Sequence, residues 1–295
     1  LNWAGGYPGL LGDGDTGLTF GGAAGYAVTD VPNGFDVNAV TFAHAAGTVT
    51  LTGGAFDLAG TAPVVTVDGA GSAVVGGLNG VPAVVAGQNL FSALTLNAAG
   101  GLTVSGPLGG NTTNGAGFFV GFRGTGGGTG TLALGGGGTT GFLTLLNRTT
   151  TITAGPLNLT SDAVEASPPV QPTSQPGRFA VEVGGSLTQS AALTVAAGAV
   201  VNTSGTVAVA PVAGAAAGVT ATVLVRGAGA ELNAGGTGLL STGGRLFVGY
   251  AGAGALTVDQ GGVVTAAVVQ VARIRDAAGD VIVDGPGSRL SVPYN

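Results

Sequence analysis

Apolar residues along this chain alternate with small or polar ones in runs of four to six, and glycine interrupts nearly every run. The stretch VIVDGPGSRL (Val281 to Leu290) has two relatives, VLVRGAGAEL (Val223 to Leu232) and VTVDGAGSAV (Val65 to Val74). Period-two alternation predicts strands, and a Gly-x-Gly between two apolar runs predicts a tight corner. A second motif, ALTVDQGGVV (Ala255 to Val264), aligns without a gap on ALTVAAGAVV (Ala192 to Val201); TLALGGGGTT (Thr131 to Thr140) and ALTLNAAGGL (Ala93 to Leu102) are looser copies. A third, LFVGY (Leu246 to Tyr250), answers FFVGF (Phe118 to Phe122) and comes before the second motif in both places. Modules that recur in a fixed order are a repeat.

The repeat predicts an all-β solenoid. Val223 and Val281 stand 58 positions apart, which reads as three coils of about 19 to 20 residues. Glycine is too frequent for stable helix interiors, and no segment carries helical spacing with caps. Stacked coils hydrogen-bond between rungs and line their interior with aliphatic ladders, so the expectation is a parallel β-helix of about 15 rungs, roughly 70 Å long. A β-sandwich or propeller would bring more aromatic residues and less glycine.

Two regions depart from the pattern. Residues 1–40 hold the single Trp and two of the four Tyr, and read as a cap over the first coil. ASPPVQPTSQPG, within 166–177, reads as a projecting loop or a hinge between solenoid segments 41–165 and 178–295. The C-terminal LSVPYN lacks a comparable cap: either the natural chain continues, or this end meets something, in which case Trp3, Tyr7, Pro293 and Tyr294 are candidate assembly ends for joining a second copy.

Composition narrows the function. With 61 Gly among 295 residues but 45% hydrophobic residues, the chain can bury a core rather than remain disordered. Eight Arg, no Lys and a net charge of −6 form no basic stripe, which argues against a nucleic-acid partner. The absence of Cys excludes disulfides and thiolate chemistry. The long uncharged window Val207 to Val225 carries Pro211, Gly214 and Gly218, and reads as two strands about a turn rather than a membrane span.

Candidate chemistry is sparse. His44, the only histidine, falls at a strand or strand end. Asp13 and Asp15 in GDGDTG have the spacing of some calcium loops but lack the remaining ligands, so turn chemistry is favoured. Arg273, Arg275, Asp276, Asp280 and Asp284 form the densest charge cluster, a weak glycan-site candidate if strand parity places them together. Sequons occur at Asn111, Asn147, Asn158 and Asn202. No cofactor is expected.

GGRLFVGYAGAGALTVDQGGVVTA (Gly243 to Ala266), with its V-G, Gly-rich turn, L-T-V and G-G-x-V, resembles the repeat of autotransporter passengers and related bacterial surface adhesins. The opening LNWAGGYPGLLGDGDTGLTF is similar to the start of many such passengers. The resemblance implies a right-handed β-helix, secreted or displayed on a bacterial surface, without catalytic residues. The expected function is a non-catalytic structural or adhesive rod, whose partner is a surface glycan or protein. The alternatives are a subunit joined end to end into a filament and a carbohydrate-active β-helix.

Overall fold

The computed structural model describes residues 13–82, 90–110, 120–160, 179–235 and 244–293. Every regular element among them is a β-strand. Thirty strands fall into three parallel sheets of ten, and each sheet takes every third strand in chain order. The chain therefore visits the first, second and third sheets in turn and climbs one rung per circuit. This is a right-handed parallel β-helix of ten rungs.

The alternation seen in the sequence sets the interior. In the second sheet, Leu193 of Ala191–Val195, Val223 of Thr220–Arg226 and Leu256 of Ala253–Asp259 are register partners and point inward. All three are at most 1% exposed, and one continuous apolar cluster runs from Leu18 to Ala266. Such ladders supply the hydrophobic term that offsets the conformational entropy lost on ordering each rung.

Two expectations about dimensions are corrected. Val223 pairs with Leu256, and Leu256 with Val281, so the 58-residue interval is two rungs rather than three. Coils run from 18 residues (Leu132 to Thr150) to 44 (Leu157 to Val201), where 19 to 20 was expected throughout. Ten rungs at about 4.8 Å span roughly 45 Å, shorter than the 70 Å expected. The reason is topological. Segments 83–89, 111–119, 161–178 and 236–243 all connect a third-sheet strand to the next first-sheet strand. Coils without these segments take 18 to 31 residues, the longest of them carrying a long corner between Val209 and Thr220, and the 44-residue coil contains 161–178.

The recurrent corner also divides into two kinds. At Gly227, Gly229, Gly285 and Gly287, between the second and third sheets, φ lies between +74° and +98°, a conformation glycine adopts without strain. At Gly69 and Gly71, between the first and second sheets, no positive φ is needed. There a Cβ on Gly69 would stand 2.0 Å from the His44 carbonyl oxygen, and one on Gly71 2.2 Å from the His44 ring. One sequence motif thus answers two steric demands.

Residues 17–37, expected within a cap, form the first rung through strands Gly17–Phe20, Ala27–Val31 and Phe35–Val37. The Pro-rich segment lies outside the described residues. The sheets nevertheless run on across it, because Leu143 pairs with Val181 and Leu157 with Val201. The two expected solenoid segments are one stack.

Candidate functional site

The residues singled out from sequence do not converge. Asp13 closes its own turn: its Oδ1 accepts the Thr16 hydroxyl at 2.7 Å and the Asp15 amide at 3.1 Å. These two bonds, the hydroxyl's first, hold its carboxyl below the usual carboxylate range. Among the described residues, no three His, Asp or Glu side chains come together to hold a metal ion.

The C-terminal charge cluster is spread over two corners and a sheet. Strand Val268–Val271 ends before Arg273, and positive φ at Ala272 and Asp276 makes 272–277 a corner. The parity that would align Arg273 with Arg275 therefore does not apply. Arg275 and Asp276 approach to 4.0 Å, with both side chains over 90% exposed. Asp280 faces out from the second sheet, and Asp284 turns the following corner, accepting the Gly285 amide at 2.8 Å. Arg273 instead lies 5.6 Å from the Phe247 ring centroid. Of the candidate assembly ends, Trp3, Tyr7 and Tyr294 lie outside the described residues, and Pro293 follows the last strand exposed.

His44 is fully buried at the corner after strand Ala39–Phe42. Its Nε2 donates to the Ser72 carbonyl one rung on, at 2.9 Å, and its ring meets Phe42 edge-on. It fills the space that Gly69 and Gly71 leave open.

Sequence reasoning missed two buried ionic features. Arg148, 2% exposed, reaches under a glycine corner, and its guanidinium donates to the carbonyls of Gly126, Gly128 (2.9 Å) and Gly130 (3.1 Å). Burial pulls its pKa down, and the carbonyl dipoles are what stabilise the charge there. The signal was present: RGTGGGTG supplies the carbonyls, and LLNRTT places an arginine one rung later. The second feature lies on the outer face of the first sheet. Register there runs from Arg123 through Thr144 to Glu182, Ala208 and Phe247. Outward positions are ordinarily solvated, yet Thr144, Glu182, Ala208 and Phe247 are all buried. Phe179, Phe247 and Tyr250 form an aromatic cluster beside them, with ring separations of 5.1 and 5.5 Å. Arg123 covers the Phe91 ring at 5.1 Å; desolvation lowers its pKa, and the Glu182 charge pushes it back up.

The remaining outer surface is polar but little charged. On the third sheet, Asn233 donates to Asn202 at 3.0 Å, and Asn202 to Asn158 at 3.0 Å. Two of the four sequon asparagines therefore spend their side-chain amides on a ladder. Asn147 donates to the Gly126 carbonyl at 2.6 Å and also to Gln189; Asn111 lies outside the described residues. On the first sheet, Thr19, Thr41, Thr66, Thr95 and Thr125 stack in register over five rungs. The Val207 to Val225 window folds as strand Val207–Val209 and most of Thr220–Arg226, and no described helix is long and apolar enough to cross a membrane.

No protein-family model matches the chain, and no curated protein or solved structure matches it.

Proposed function

We propose that the chain is a non-catalytic display rod, an extracellular structural or adhesive module of a bacterial surface. The observation that carries this reading is the uninterrupted stack of ten rungs. It presents register-aligned Thr and Asn columns on a stiff aliphatic interior, a scaffold that holds a repeated surface at fixed spacing. The resemblance of Gly243 to Ala266 to adhesin repeats supports the same location. The test is attachment: beads coated with the purified chain, challenged with host-cell monolayers and glycan arrays. Saturable attachment beyond that of uncoated beads is expected. Cleavage of any arrayed glycan would overturn the non-catalytic reading.

A second reading, end-to-end assembly, is favoured by the last described rung. Its inward Val269, Val281 and Leu290 are only partly buried, and Val271, Val283 and Val292 are 44 to 47% exposed. An apolar rung of this kind is covered by a further rung, whether of the same chain or of a second copy. Electron microscopy over a concentration series distinguishes the two readings, with isolated rods for display and lengthening fibres for assembly.

A further inference from the structure

We infer that the outer face of the second sheet binds a neutral, extended polysaccharide chain lying along the rod axis. This inference rests on the display reading above and names the chemistry of the partner.

Two outward columns run up this face, two residues apart along each strand. From the third rung to the ninth, the hydroxyl-bearing residue changes column at nearly every step. Ser72 stands in the near column, Thr103 in the far, and Thr131, immediately before its strand, in the near. Above the sixth rung the order is Thr194 far, Thr222 near and Thr257 far. The sixth rung carries a hydroxyl in both columns, Thr149 and Thr151. The complementary positions hold Val74, Gly101, Ala133, Ala192, Leu224 and Ala255. Within these two columns the hydroxyls thus alternate sides of the midline over the third to fifth and the seventh to ninth rungs, meet in both columns at the sixth, and have small or aliphatic residues opposite them.

Rungs repeat at about 4.8 Å, close to the rise of one sugar in an extended glycan ribbon. In such a ribbon each residue is flipped relative to the last, so its hydroxyls also alternate sides along the axis. The C–H faces of the sugars would rest on the aliphatic steps while the threonine hydroxyls exchange hydrogen bonds with the ring hydroxyls. Charge complementarity selects a neutral polymer. No ionisable side chain lies on this face between the third and ninth rungs except at the strand ends. There Arg226 and Asp259 neutralise each other at 2.6 Å.

The test uses the whole chain with a neutral β-1,4-linked hexasaccharide by titration calorimetry, and polygalacturonate as the anionic counterpart. Thr103→Lys with Thr194→Lys places charge and bulk on the face, whereas Thr265→Lys makes the same change on the outer face of the third sheet. Binding of the neutral hexasaccharide by wild type, a loss of at least tenfold in the double variant and less than a twofold change in Thr265→Lys are expected. Circular dichroism checks folding, and a separate variant, Thr257→Glu, carries the test if the double variant unfolds. Preferential binding of polygalacturonate, or equal binding by the folded double variant, overturns the inference. Altered sedimentation with unaltered glycan binding overturns it too, marking the face as a contact between rods. Bead attachment to cells without neutral-glycan binding sinks this inference alone and leaves the display reading standing.

Discussion

Replacing Arg148 with Met tests whether the glycine corner at 126–130 depends on one buried guanidinium. Methionine keeps most of the side-chain volume and removes every donor. Three carbonyls lose a partner, but Gly126 keeps the Asn147 amide at 2.6 Å, so Gly128 and Gly130 are the acceptors left without the guanidinium. A buried unsatisfied acceptor costs about 1 to 3 kcal/mol. Two give about 2 to 6, from which the relieved desolvation of the guanidinium must be subtracted. The expected net loss is about 2 to 4 kcal/mol, or roughly 4 to 12 °C in Tm for a chain of this size. Solenoids open locally, so the sharper assay is hydrogen exchange followed residue by residue. Amides around Gly128 and Gly130, which donate to Leu96 and Ala98, should exchange faster while those of the seventh to tenth rungs stay protected. Arg148→Lys should recover only part of the loss, because a point charge cannot span three carbonyls. A Tm within 1 °C of wild type, or uniform loss of protection along the rod, would refute the reasoning.

Other expectations follow from named contacts. Gly71→Ala drives a Cβ into the His44 ring and should cost about 1 to 3 kcal/mol. In a double-mutant cycle, His44→Ala should recover about 1 kcal/mol of that cost; strict additivity in urea melts would refute the contact. The Arg226–Asp259 pair lowers the carboxyl's pKa, chiefly through the hydrogen bond from Arg226. A depressed carboxylate contributes above its unfolded pKa of about 3.9 and loses that contribution as pH falls through the folded value. Tm should therefore fall less steeply below about pH 4 in Arg226→Met than in wild type; identical acid profiles would dismiss the pair. Asn202→Leu removes the centre of the asparagine ladder and should cost about 1 to 2 kcal/mol, read as a lower urea midpoint. Mass spectrometry of folded chain from a glycosylating host should find Asn202 unmodified.

Much of the fold was legible because β-helix physics is local. Alternation at Val223, Val225 and Leu256 assigns strand and inward face, and the Gly-x-Gly motifs announce corners. The sequence could not say which corner. VTVDGAGSAV and VLVRGAGAEL look alike, yet one joins the first sheet to the second and the other the second to the third. The third motif misled similarly. Leu246, the first residue of its copy, sits in the column of Phe122, the last residue of the other, through Leu143, Val181 and Val207.

What the sequence determined by itself was the chemistry of each strand's two faces, since period two is written residue by residue. What only the tertiary structure decided was everything that depends on rung-to-rung register. Residues one rung apart are separated by 18 to 44 positions, and that interval changes with the length of each corner. Arg148 beneath Gly128, His44 beneath Gly71, and Ser72, Thr103 and Thr131 in alternating columns are such neighbours. Parallel pairing brings them together across intervals that no fixed sequence period encodes.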